Sequence, residues 1–152
     1  MKKRLFERSF YVLGLLSMIT LTSPFFSYRP TAVTTNDWFI WGNFNLLDIV
    51  VEGLPRFSKV AMSDTMKLVI VISTIILALG VFQFVGSLFK QRKQVLFSAI
   101  TLFVLLAGGI IYIKSGGYDI TVKAGYYIFM ALEAAVIVMG ILLGRNKEKN
   151  VA

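Results

Sequence analysis

Long stretches without a charged residue restrict this chain more than any motif does. Residues 68–89 form a run of 22 without Asp, Glu, Lys or Arg, and 95–113 form a second of 19. Residues 124–144 form a third of 21, interrupted only by Glu133. A helix rises about 1.5 Å per residue, so about 20 apolar residues cross the ~30 Å hydrocarbon core of a bilayer. A shorter fourth candidate runs from Ser9 to about Phe26, 18 residues. It follows a basic start, Met1-Lys2-Lys3-Arg4, as a signal peptide would. Its exit, Thr22-Ser23-Pro24-Phe25-Phe26, lacks the small-residue cleavage pattern, so a retained span is expected.

Composition agrees. The chain is 57% apolar and 16% charged, against about 45–50% and 25% in soluble domains. The expected fold class is an all-α integral membrane protein. Residues 1–152 would form one domain of four transmembrane helices. Cys and His are both absent, which excludes disulfides, thiolate chemistry and His-ligated metal centres. No cofactor or metal is expected.

Charge orients the spans. Lys and Arg accumulate in the short cytoplasmic segments of membrane proteins. The N-terminus, the 90–94 connection and the C-terminal tail together hold 10 of the 16 basic residues. Both termini are therefore expected in the cytoplasm, with a bacterial cell membrane as the location. The net charge of +8 then reflects topology and contact with an anionic leaflet, not nucleic-acid binding. Tyr28, Tyr112, Tyr118, Tyr126, Tyr127 and both Trp residues lie at or beyond the opposite ends of the spans, where interfacial aromatics belong.

The first extracytoplasmic loop, 27–66, is long. Between Trp38 and Leu54, 11 of 17 residues are apolar, so it must fold on itself, lie on the bilayer or meet a partner. Asn45 and Asp48 are spaced as a helix cap and predict a short amphipathic helix at about 46–52. Asp48 and Glu52 would share one face, with Leu46, Leu47, Val50, Val51 and Leu54 on the other. Gly42-Asn43 is compatible with a hairpin turn. Trp38, Phe39, Trp41 and Phe44 form either a contact surface or an interfacial cap of the bundle.

Glu133 lies near the middle of its span. Intramembrane carboxyls are costly and face the bundle interior. By depth it is expected level with Thr20 and with 78–80, and nearer the outside than Gln83 and Thr101. Gly140 and Gly144 form a small-xxx-small pattern on a related face. Three roles remain open: a neutral Glu bonded to a neighbouring group, a docking point for a basic partner residue, or an ion site.

Phe44-Asn45-Leu46-Leu47-Asp48 resembles the Phe-Asn-x-x-Asp signature of prolipoprotein signal peptidases. It follows the first span instead of preceding the last, and the family's second Asp motif is missing. The four-span outline is also similar to claudin-like and tetraspanin-like proteins, without their loop cysteines. The functional expectation is a non-enzymatic accessory or interaction subunit, or an immunity or stress protein. Its partners would be lipid and another membrane protein or a second copy. A small oligomeric transporter or channel using Glu133 is the alternative.

Overall fold

The computed structural model of the chain describes residues 2–28, 42–56, 64–115 and 120–148. Helix α1 is Lys2–Thr20, α2 Leu46–Gly53, α3 Asp64–Leu88, α4 Arg92–Ser115 and α5 Ala124–Glu148. Strands β1 (Phe26–Tyr28), β2 (Gly42–Phe44) and β3 (Ile120–Val122) complete the order. Among the described residues, three helices are long and apolar enough to cross a membrane: 67–88, 92–112 and 124–144. Only 28% of each apolar window is buried by the rest of the chain. Hydrocarbon side chains such as Val71, Ile75, Val104 and Val138 point outward, as lipid contact requires.

Helix α1 is different. Its first seven residues include Lys2, Lys3, Arg4, Glu7 and Arg8, and the uncharged remainder, 9–20, would extend about 18 Å. The expected continuation to Phe26 does not occur. Leu21 and Ser23 donate to the carbonyls three residues back, at 3.2 and 3.0 Å. The Thr20 and Thr22 hydroxyls bond back to Ser17 and Ile19. Pro24 follows, with no N–H to give and a bias against helix at the residue before it.

The four long helices form a ring. Helix α1 packs on α3 and α5, and α4 packs on the same two, so α3 and α5 face each other across the axis. The start of α1, the end of α5 and the α3–α4 connection lie at one end, the sheet at the other. Two apolar clusters fill the interior. One, at the sheet end, includes Leu21, Phe25, Leu102 and Phe129. The other, at the terminal end, includes Phe10, Val95, Ala99 and Val136.

The α3–α4 connection is tighter than the sequence suggests. Lys90 adopts φ 56°, the left-handed conformation that ends many helices. Gln91 N–H donates to Gly86 O at 2.7 Å and Lys90 N–H to Ser87 O at 3.3 Å, which satisfies carbonyls at the end of α3.

At the sheet end, β1 is central and pairs antiparallel with both β2 and β3. This corrects the hairpin-turn expectation for Gly42-Asn43. Both residues lie within β2, with Asn43 opposite Ser27 and Gly42 opposite Tyr28. The partner strand comes from 26–28, a distant pairing that local turn chemistry does not reveal. Lys123 N–H donates to Phe25 O at 2.8 Å and joins the sheet to the start of α5.

Helix α2 confirms its cap. The Asn45 side chain accepts from Asp48 N–H at 2.9 Å, and the Asp48 carboxylate accepts from Asn45 N–H at 3.3 Å. The Phe-Asn-x-x-Asp string is therefore a strand end followed by a capping box. The apolar face divides in two, contrary to the single face expected. Leu46, Ile49 and Gly53 are buried, and Gly53 lies against Ile70 of α3. Leu47, Val51 and Leu54 form a separate exposed stripe beside the exposed Asp48 and Glu52. Such a helix suits a junction of protein, lipid and water. Replacing Asn45 with Ala should lower stability by about 1 kcal/mol, with Ser largely retaining it. Thermal unfolding of the purified protein in detergent measures the difference.

Candidate functional site

Three polar side chains meet in the ring between the two apolar clusters. Ser17 of α1, Gln83 of α3 and Glu133 of α5 are 2%, 0% and 0% exposed. Gln83 Nε2 donates to Ser17 Oγ at 2.9 Å and reaches both Glu133 carboxyl oxygens at 3.1 Å. An amide nitrogen carries two hydrogens. One serves Ser17, and the other is shared between the carboxyl oxygens. Ser17 Oγ donates onward to Gly14 O at 3.0 Å. The bond from Gln83 to Glu133 crosses the bundle axis between the two helices that do not pack side by side.

This arrangement corrects the depth estimate. Thr20 does not meet Glu133; its hydroxyl bonds to Ser17 O at 2.7 Å. The backbone at Gly80 approaches Met18 and Leu21, so Thr20 and 78–80 do share a level. That level lies one turn closer to the sheet than Glu133. The estimate assumed spans that start in one plane. Instead Glu133 is nine residues into α5 and Gln83 nineteen into α3, so the helices are staggered.

The two predicted glycines work within the chain. A side chain at Gly140 would collide with Leu96 (2.8 Å) and Phe10 (3.1 Å), so this glycine lets α5 approach α1 and α4. Gly144 leaves room for the Arg92 guanidinium, whose Nη2 donates to Gly140 O at 2.7 Å. Nearby, the Tyr11 hydroxyl donates to Lys90 O at 2.8 Å and ties α1 to the α3–α4 connection. In the sequence Arg92 is one of the basic residues of the 90–94 connection that set the orientation. Its reach into a bundle seam is not visible there, although a long basic side chain and two glycines on a neighbouring span are the available signal.

Of the predicted outer contact residues, Trp38, Phe39 and Trp41 lie outside the described residues. Phe44 ends β2, opposite Phe26. Tyr126, expected at the interface, is buried: it packs on Phe25 and Phe26, with ring centroids 5.8 and 5.5 Å apart, and donates its hydroxyl to Leu106 O. Tyr127 and Tyr112 remain exposed.

Two further buried atoms, Gln83 Oε1 and Ser87 Oγ, have no hydrogen-bond partner among the described residues. They lie one helical turn apart on α3, with Ser87 against Gly14. Among the described residues no group of three or more Asp, Glu, His or Cys could hold a metal. The cluster is thus a carboxyl held by one neutral donor, the Gln83 amide, which Ser17 holds in turn. Comparison of the chain with protein-family models, with curated proteins and with solved structures finds no match.

Truncating one member of the cluster should cost more than truncating both. Glu133→Leu leaves the Gln83 amide buried with a lost partner and should destabilise by about 1–3 kcal/mol. Adding Gln83→Leu should recover part of that loss, whereas Glu133→Gln alone should change little. Unfolding free energies of Glu133→Leu, Gln83→Leu and the double variant give the coupling directly.

Proposed function

We propose that this chain is a non-enzymatic, four-span protein of a cell membrane with both termini in the cytoplasm, acting as an interaction subunit through its extracytoplasmic face. The observation that carries the reading is the pairing of Tyr28 with Gly42. It closes the base of segment 29–41, which contains Trp38, Phe39 and Trp41. The base is braced: β1 pairs on its other side with β3, and α2 is capped beside β2. A loop closed on such a platform is suited to presenting aromatic anchors to another membrane protein. In this reading α1 and its following turn make the fourth crossing, and the excess of Lys and Arg at the terminal end sets the orientation.

Full burial of Glu133 and its bonds to Gln83 favour a bracing role over docking of a partner's basic residue. A second reading, a small oligomeric transporter or channel using Glu133, has the unpartnered Gln83 Oε1 and Ser87 Oγ in its support, since ion paths need several polar groups.

The test is co-purification of the tagged chain from its native membrane in mild detergent. A membrane protein should accompany the wild type and Glu133→Gln in fixed ratio, and be lost from the Trp38→Ala/Trp41→Ala double variant. Retention by the double variant would refute the outer-face reading. Ion flux abolished by Glu133→Gln in reconstituted vesicles would favour the transporter.

A further inference from the structure

An apolar groove runs along the lipid-facing side of the bundle between α3 and α4, separate from the Glu133 cluster. Leu68, Ile72 and Ile76 line it from α3, and Leu105, Gly109 and Tyr112 from α4. Its cavity volume is about 80 Å³. At the sheet end it is bounded by Phe26 of β1 and Leu46 of α2.

We infer that this groove is a binding site for one acyl chain of an anionic phospholipid in the leaflet at the sheet end. Three observations identify the occupant. The two long walls of the groove belong to the apolar spans 67–88 and 92–112, and Tyr126 of α5 also lines it; around such spans the solvent is hydrocarbon. The groove's length also fits. From Leu68 to Ile76 the helix advances about 12 Å, close to the ~15 Å that one leaflet contributes to a ~30 Å core. It therefore follows an acyl chain from its headgroup end toward the bilayer midplane.

The third observation is charge. Lys67 precedes Leu68 and Lys114 follows Tyr112 by two residues, which places a cation beyond the outer end of each wall. Lys114 is exposed and Lys67 half-buried. Basic residues at headgroup level favour anionic lipid. The acids of α2, Asp48 and Glu52, lie on its exposed side, away from the face packed on α3. Apolar wall and basic rim together match a phospholipid better than a peptide segment, whose backbone would need hydrogen-bond partners that the groove lacks.

Two adjacent glycines make the inference testable. A side chain at either Gly108 or Gly109 meets nothing within 4 Å, and either replacement should favour the helix. Only Gly109 lines the groove. Gly109→Leu therefore fills it, and Gly108→Leu is a control of identical chemistry that does not.

The experiment uses the full chain reconstituted with phosphatidylglycerol carrying a photoreactive group in one acyl chain. Adducts are located by mass spectrometry. Wild-type adducts should map to 68–76 and 105–112. Gly109→Leu should lower their yield about tenfold, as displacement of a few buried methylenes implies, while Gly108→Leu leaves it unchanged. The same probe on phosphatidylcholine should label more weakly, and Lys67→Gln/Lys114→Gln should remove that difference. Equal yields from the two glycine variants would overturn the site. So would wild-type adducts spread evenly around the bundle, a result that does not depend on how any variant folds. Equal labelling by the two lipids would overturn the anionic headgroup.

Discussion

The hydrogen bond from Gln83 to Glu133 is the constraint on which the bundle depends. A carboxyl near the middle of a membrane helix costs about 2.5–3.5 kcal/mol on insertion scales, so it needs a partner or it must face water. Here it does neither in the simplest way. No basic residue among those described joins it. A neutral amide from the helix across the axis donates to it, and the same amide donates to Ser17. One side chain thereby links three helices. The bond also fixes the stagger of α3 against α5, because a shift of one residue along either helix moves the partner by about 1.5 Å and rotates it away.

That stagger propagates to both ends. Toward the termini it brings Arg92 beside the gap left by Gly140 and Gly144, and Lys90 beside Tyr11. Toward the sheet it sets Phe25, Phe26, Tyr126 and Phe129 into one aromatic cluster beside β1. Apolar side chains alone would allow the helices to slide, since lipid and Leu are equally apolar and exert little preference between registers. The polar layer and the glycine contacts supply the missing register. The sheet then fixes the loops to helices already in place.

Much of this was legible in the sequence, and the rest was not for physical reasons. Span positions followed from charge-free runs, and α2 from the Asn45–Asp48 spacing. The end of α1 at Thr20 was missed because apolar residues continue to Phe26, while the hydroxyls and Pro24 that stop the helix act through local backbone bonding. The sheet was missed because three-residue strands carry no period and their partners lie far apart in sequence. Glu133, Gly140 and Gly144 stood out in their span, but their partners did not. Gln83 and Ser17 look like scattered polar residues until the antiparallel register is known. One additional rule would have paired them: a buried polar group must find another.

Glu133 is sealed inside the bundle, bonded to Gln83, which also bonds Ser17. Reaction with a hydrophobic carbodiimide, which enters bilayers and adds to accessible intramembrane carboxyls, tests it most directly. In native membranes Glu133 should resist modification, and it should react once the protein is unfolded in strong detergent, with the modified residue located by mass spectrometry. Modification of Glu133 in intact membranes as fast as in the unfolded chain would show that the carboxyl is open to the bilayer and not sealed.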